Sequence, residues 1–322
     1  MTPPVRRPER LAELVYQAGY GPGEALVLGV RQGGAPPVFL ARGRTATGEP
    51  LSAGTVVYTA SLSKQLTAAC AALLVRQGRL DTASTLAEWM PELPAWAGDI
   101  TVNHLLHHTS GLPEGVDFDE LHRAGLDRTT DAVVRGLAGA DHLYGPPGAR
   151  FRYSNAGYVC LALVVARAAG RPLPDVAREQ VFRPLGMADT RYWSGPAAHP
   201  PGAAPTDAGY PAALSLGDGG VWSTARDLLR WNAALAHDEL GVSALLHTPG
   251  RLDDGTPLAY AWGIDVLTHS GRRVHRHGGL WAGVSTQLVR VVDPPADVVV
   301  LVLDDDEERL ARLTGSLVEE LG

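Results

Sequence analysis

Two sets of strand-like segments stand near opposite ends of this chain, and a long stretch without them lies between. Short apolar runs at Ala25 to Val30 and Pro37 to Ala41 flank Gly33-Gly34 and read as a hairpin, with Thr55 to Tyr58 as a further short strand. Far downstream, Ala259 to Leu267, Arg273 to His277, Gly283 to Val292 and Asp297 to Leu303 follow one another through short turns, as in an antiparallel meander. From about 79 to 215 the chain is proline-rich and helical in pattern, at 101–107, 130–138, 155–169 and 174–182. The terminal parts are therefore expected to form one antiparallel sheet flanked by helices, with an inserted all-helical domain: an α+β fold. Residues 1–78 and 216–322 would make the discontinuous sheet domain and 79–215 the helical one. The cleft between them is the natural place for an active site.

Local signals fill in this frame. Residues 8–19 read as an amphipathic helix with Leu11, Leu14, Val15 and Ala18 on one side. A helix from Ser61 to about Gln77 carries Leu66, Ala69, Cys70, Leu73 and Leu74 as an apolar stripe, and Gly78 is placed to cap it. Gly170 stops the helix that starts at 155, and Thr224 opens another, with Asp227 set to complete its cap. The acidic run Asp304 to Glu308 suits the positive end of a final helix.

A chain of 322 residues can bury a large core as one domain or two intimate ones. Its net charge of −7 argues against nucleic acid or an anionic membrane as partner. Cys70 and Cys160 lie in apolar helical runs and read as core residues, so neither a disulfide framework nor a metal site is indicated. Arg6-Arg7 is followed by Glu9 and Glu13 rather than an apolar export segment, and no run approaches the ~18 apolar residues that span a bilayer. A cytoplasmic protein without membrane association is expected.

Of the 28 basic residues, one is lysine: Lys64. Arginine serves salt bridges and surface charge equally well, but it does not give up its proton, whereas a desolvated lysine becomes a neutral base. Ser61 lies three residues earlier, on the same face if the segment is helical. A capping serine followed by a surface lysine is the ordinary reading of Ser-x-x-Lys; nucleophile and base on one helical turn is the chemical one. Tyr153-x-Asn155 follows at a loop-to-helix junction. Tyr153, stabilised as the phenolate beside an ammonium, is expected to share the proton with Lys64, while Asn155 fixes Lys64 or a substrate amide. In His277-Gly278-Gly279-Leu280, glycines permit close approach of substrate to a strand edge. The backbone N–H groups of Ser61 and Leu280 are the expected oxyanion donors. His104, His107 and His108 have metal-like helical spacing but lack a local carboxylate or thiol, and Ser110 has no adjacent base. Trp222, Trp262 and Trp281 are expected near the cleft mouth.

Taken in order, Ser61-x-x-Lys64, Tyr153-x-Asn155 and His277-Gly278-Gly279 resemble the serine β-lactamase and penicillin-binding-protein superfamily, in its class C-like branch of esterases and D-amino-acid-specific peptidases. His107-His108-Thr109-Ser110-Gly111-Leu112-Pro113, Pro184-Leu185-Gly186-Met187 and Gly219-Gly220-Val221-Trp222-Ser223-Thr224 support the likeness, which runs over roughly residues 25 to 303. It implies a β-lactamase/transpeptidase-like fold, Ser61 as nucleophile, Lys64 and Tyr153 as the proton-handling pair, Asn155 as positioning residue and no cofactor. His277 stands where many relatives have the lysine of Lys-Thr-Gly. A mostly neutral histidine holds a carboxylate less well, which weighs against β-lactams and toward small esters, amides or acyl transfer. Three functions follow: a hydrolase passing an acyl-Ser61 to water, an acyltransferase passing it to a second substrate, or a silent member that binds a small molecule. The intact Ser61, Lys64 and Tyr153 speak against the last.

Overall fold

In the computed structural model, which describes residues 8–206, 210 and 212–321, both ends of the chain contribute to one sheet. Its strands are β1 (Leu26–Gln32) and β2 (Val38–Arg42) from the early part, and β6 (Asp265–His269), β7 (Arg272–Trp281), β8 (Val284–Val291) and β9 (Ala296–Val302) from the late part. Short strands β3 (Val57–Tyr58), β4 (Arg191–Tyr192) and β5 (Val221–Ser223) form a second, small sheet. The large sheet runs β2-β1-β9-β8-β7-β6, antiparallel throughout. The longer helices are α1 (Pro8–Gln17), α2 (Ser63–Arg76), α3 (Thr130–Ala138), α4 (Asn155–Ala169), α5 (Ala225–Ala236) and α6 (Glu307–Glu320).

Alternation along the strands sends side chains to two cores. Leu26, Leu28, Val298, Val300 and Val302 pack with Leu11 and Leu14 of α1 and Leu313 and Leu317 of α6. Val27, Val299, Leu301 and Leu288 face the other way, into a larger core with α2, α4 and α5. Covered on both sides, β9 is buried at every position, which is why its sequence is a nearly unbroken valine run. Burying each such side chain contributes roughly 1.5–3 kcal/mol.

The helix α2 sits between sheet and helices and is buried all round from Ser63 to Leu74, rather than along one stripe. Its polar side chains are accordingly paired. Gln65 Oε1 accepts from Trp231 Nε1 at 2.9 Å, and Thr67 Oγ1 donates to the Gly217 carbonyl at 2.8 Å. The ends of α2 and α4 follow the glycines: Gly78 and Gly170 take φ of 67° and 65°, the left-handed conformation that glycine adopts without a steric penalty. Thr224 caps α5 by accepting from Asp227 N, but the Asp227 carboxylate turns outward to Asp189 N and Thr190 Oγ1.

Three expectations shift. The segment 174–182 is not one helix: it is helical over Leu173–Ala177 and then widens into a π turn over Arg178–Phe182. The stretch without expected strands contains β4, whose two residues are too few to show a period. The strand expected at Ala259 to Leu267 starts only at Asp265, because the chain first turns through Gly263 at φ 73°. Among the described residues no single helix is long and apolar enough to cross a membrane.

Gly263 is required by α2. A β-carbon there would stand 2.7 Å from the Lys64 carbonyl carbon and 2.8 Å from Gln65 N. Gly263→Ala is expected to lower stability by about 2–4 kcal/mol, from overpacking and the unfavourable φ together, read as a lower urea midpoint at unchanged slope. An unaltered midpoint would mean that this turn moves freely away from the helix.

Candidate active site

The turn that carries Ser61 is clamped at both ends. β3 pairs with β5, and Thr59 continues the pairing: its N–H and Oγ1 both donate to the Val221 carbonyl, at 3.0 and 2.9 Å. Ser63 Oγ donates to the Ala60 carbonyl at 2.7 Å and accepts from Val221 N at 3.0 Å. Between these anchors Ala60–Leu62 forms one tight 3-10 turn, entered through Ala60 at φ 47°. An alanine in that region carries backbone strain of about 1–2 kcal/mol. The turn runs on into α2, which places Ser61 and Lys64 on one face.

Lys64 is fully buried, and its Nζ donates to Ser61 Oγ at 3.0 Å, Asn155 Oδ1 at 2.9 Å and the Asp218 carbonyl at 2.9 Å. Burial lowers its pKa from 10.5 to about 7; the Asp218 carboxylate opposes that shift and the Arg128 guanidinium adds to it. Asp218 and Arg128 are themselves a buried ion pair, Nη1 to Oδ2 2.5 Å, and Ser215 Oγ donates to Asp218 Oδ1 at 3.0 Å. Sequence reading missed this group. Asp218 reaches Lys64 through a backbone carbonyl, which leaves no residue-type signal.

Asn155 is the first residue of α4. Ser154 Oγ caps the helix by accepting from Gly157 N at 3.1 Å, and Glu114 Oε2 accepts from Asn155 N and Ala156 N at 3.2 and 3.3 Å. Tyr153 lies on the rim, with Lys64 Nζ 4.7 Å from its ring centre. Burial raises the Tyr153 pKa, with the Ser61 hydrogen bond acting against the rise. These surroundings favour the phenol form of Tyr153 over the expected phenolate, and the neutral amine of Lys64 over its ammonium.

His108, also overlooked as a site element, fixes this rim. Its Nδ1 accepts from Ser154 N at 3.1 Å, its carbonyl accepts from Arg152 N at 2.8 Å, and its ring lies 4.3 Å from that of Tyr153. His104 and His107 do separate local work: His104 Nδ1 accepts from Thr101 N at 3.1 Å, and His107 packs edge-on to Trp262.

The opposite wall is β7. His277 Nδ1 lies 2.6 Å from the Gly278 carbonyl, so Nδ1 carries the proton, and Nε2 accepts from the Tyr260 hydroxyl at 3.1 Å. Burial, reinforced by the charge of Lys64, pushes its pKa to about 3, so the ring is neutral at working pH. His277 faces Leu288 while Arg276 faces Val289, on opposite sides of the sheet; Arg276 Nε lies 4.0 Å from Asp265 Oδ2. The glycines divide their roles. A β-carbon on Gly279 would meet the Thr59 carbonyl and come within 3.1 Å of Ala60 Cβ, so this glycine admits the turn that carries Ser61. Gly278 and Leu280 lie on the stretch of β7 beyond its pairing with β6, which ends at Arg276. The resulting cleft of about 490 Å³ has Ser61, Phe151, Tyr153, Tyr260 and His277 in its walls. None of the three expected tryptophans lines this cleft: Trp222 and Trp262 are buried, and Trp281 packs edge-on to Tyr58.

Residues 21–313 match the family described as Beta-lactamase. A penicillin-binding protein of Bacillus subtilis is 30% identical over 285 residues, which cover 78% of this chain and 61% of the relative. A D-aminopeptidase of Cereibacter sphaeroides is 30% identical over 269 residues, covering 78% and 51%. This chain therefore spans 61% and 51% of the length of those two relatives. In fold it is similar to the crystal structure of a penicillin binding protein from Bacillus halodurans, with a TM-score of 0.80 at 24% identity over 96% of this chain and 99% of the other.

The charges around Lys64 give a test with opposite signs. Asp218→Asn removes a carboxylate that favours the ammonium, and Arg128→Met removes a cation that disfavours it. The acid limb of Ser61 inactivation by a fluorophosphonate is expected to move to lower pH in the first variant and to higher pH in the second. Shifts in the same direction would mean that packing, not charge, governs the amine.

Proposed function

The chain belongs to the beta-lactamase family, and we propose that it is a serine hydrolase that forms an acyl-enzyme on Ser61 from a small ester or amide. The observation that carries the reading is a lysine amine, fully buried and lowered to about 7, hydrogen-bonded at 3.0 Å to the hydroxyl it has to activate. Neutral Lys64 takes the Ser61 proton as Oγ bonds to the substrate carbonyl carbon, and the carbonyl π electrons move onto oxygen. The backbone N–H groups of Ser61 and Leu280 receive that oxyanion. As the intermediate collapses, the bond to the leaving group breaks. Tyr153 passes its proton to the departing oxygen or nitrogen and regains one from the Lys64 ammonium. Water then attacks the acyl-Ser61 carbon; its proton passes through the same pair to Ser61 Oγ as the Oγ–acyl bond breaks and the carboxylic acid leaves.

Substrate class follows from charge. Neutral His277 provides no ammonium for a carboxylate, which favours esters and amides without one beside the scissile bond. The D-aminopeptidase relative makes D-aminoacyl amides a reasonable part of the first substrate panel, with aryl esters and a chromogenic cephalosporin beside them.

Acylation is expected to rise about tenfold per pH unit below about 7 and to level off above it, since the reactive form is the deprotonated amine. Lys64→Arg nearly keeps the length but is permanently protonated, so it cannot accept the proton. Aryl-ester turnover is expected to drop by at least ~100-fold with little change in folding, circular dichroism checking that the variant is folded. Intact-mass detection of a fluorophosphonate adduct on Ser61 distinguishes an enzyme from a silent binder, and retained turnover in Lys64→Arg would overturn the role given to the amine.

A further inference from the structure

The catalytic cleft continues past the sheet edge. β6 pairs with β7 only as far as Arg276, so from His277 onward that edge of β7 is open. Gly278 puts no side chain there; its missing β-carbon faces Gln287 Oε1, 2.8 Å away, on the α6 side of the sheet. Around this edge the cleft wall is formed by Arg276, Gln287 and Ala311. The same three residues border a second cavity of about 290 Å³ between α6 and strands β6 to β8, roughly ten times one water's share of liquid volume. Beyond this polar mouth Leu267, Val274, Val289 and Val318 form its apolar walls, with Gly315 on the helix and Thr268, His269 and Thr314 also on its border. Gly315 lies inside α6, where glycine is less stable than alanine, yet a β-carbon there would have no neighbour within 4 Å.

We propose that this second cavity is a substrate subsite for an unbranched apolar chain, which leaves Ser61 over the open edge of β7 at Gly278 and lodges under α6. The proposal rests on the Ser61 hydrolase reading above and adds the substrate's apolar arm to it. The chain can lie on the acyl or the alcohol side of the scissile bond, since both begin at the same carbonyl carbon. Its recognition is by burial of methylenes, each worth roughly fourfold in affinity.

Two ester series distinguish the sides: p-nitrophenyl esters from acetate to octanoate, and acetates of ethanol to octanol. One series is expected to gain at least ~20-fold in kcat/KM from its shortest to its longest member. Gly315→Leu, which fills the cavity from the helix, is expected to cut that long-to-short ratio by at least ~10-fold and to melt no lower than the parent. Leu267→Ala, which enlarges the cavity, shifts the preferred chain to a longer one. Calorimetric titration of octanamide into Ser61→Ala protein, with and without Gly315→Leu, keeps the outcome independent of turnover. Weaker binding in the double variant supports the subsite even if no ester is hydrolysed. A flat length dependence in both series, an unchanged ratio in Gly315→Leu, or no octanamide binding to Ser61→Ala overturns it.

Discussion

The removal of one amine from water governs the rest of this structure. Lys64 lies in a helix buried on all sides; among the described residues its acceptors are a hydroxyl, a side-chain amide and a backbone carbonyl, none of them a carboxylate. Those acceptors satisfy the amine without compensating a full charge, so burial dominates and the pKa falls to about 7. The surroundings reinforce this. His108 and His277 are held neutral by their own burial, and Tyr153 is held as phenol. Between about 7 and 10.5 the unfolded chain carries a proton on Lys64 that the folded chain lacks. This group's contribution to stability therefore rises with pH across that window and is least favourable below it.

Holding such a group in reach of its hydroxyl takes structure from distant parts of the chain. The turn bearing Ser61 is fixed to β5 through Thr59 and Ser63, and β7 closes on it at Gly279. Asn155 comes from the first turn of α4, itself set by Ser154, Glu114 and His108. The Asp218 carbonyl arrives on a glycine-flanked loop whose side chain is anchored to Arg128. Each contributor is positioned by hydrogen bonds of its own, so the constellation is preorganised before substrate enters.

How much of this was legible depended on how each residue acts. Local periodicity and punctuation marked α4 at Asn155–Ala169, with Gly170 as its stop. Ser61, Lys64, Tyr153, Asn155 and His277 were visible because their chemistry belongs to their side chains and their spacing follows one turn or one strand. Gly263 was not, because it acts through the absence of a β-carbon against a helix some two hundred residues earlier in the chain. Asp218 contributes a backbone carbonyl, a group that every residue possesses. The neutral state of Tyr153 depends on burial, and burial is a property of the assembled fold. The late start of β6 has the same origin: Ala259 to Ile264 has strand-like composition but is turned aside by its packing on α2.

The closure of the sheet has a consequence for how the protein comes into being. β1 is flanked by β2 and β9, and Arg31 of β1 pairs with Asp297 of β9 across 266 positions of sequence. A ribosome finishes the first hairpin long before it makes the strand that completes it. Until then one side of β1 has unmet amides and carbonyls, a template for pairing with another nascent copy. Productive maturation is thus a race between translation of the last third and unwanted association, and frameshifts late in the reading frame would leave Ser61 on a scaffold that never closes.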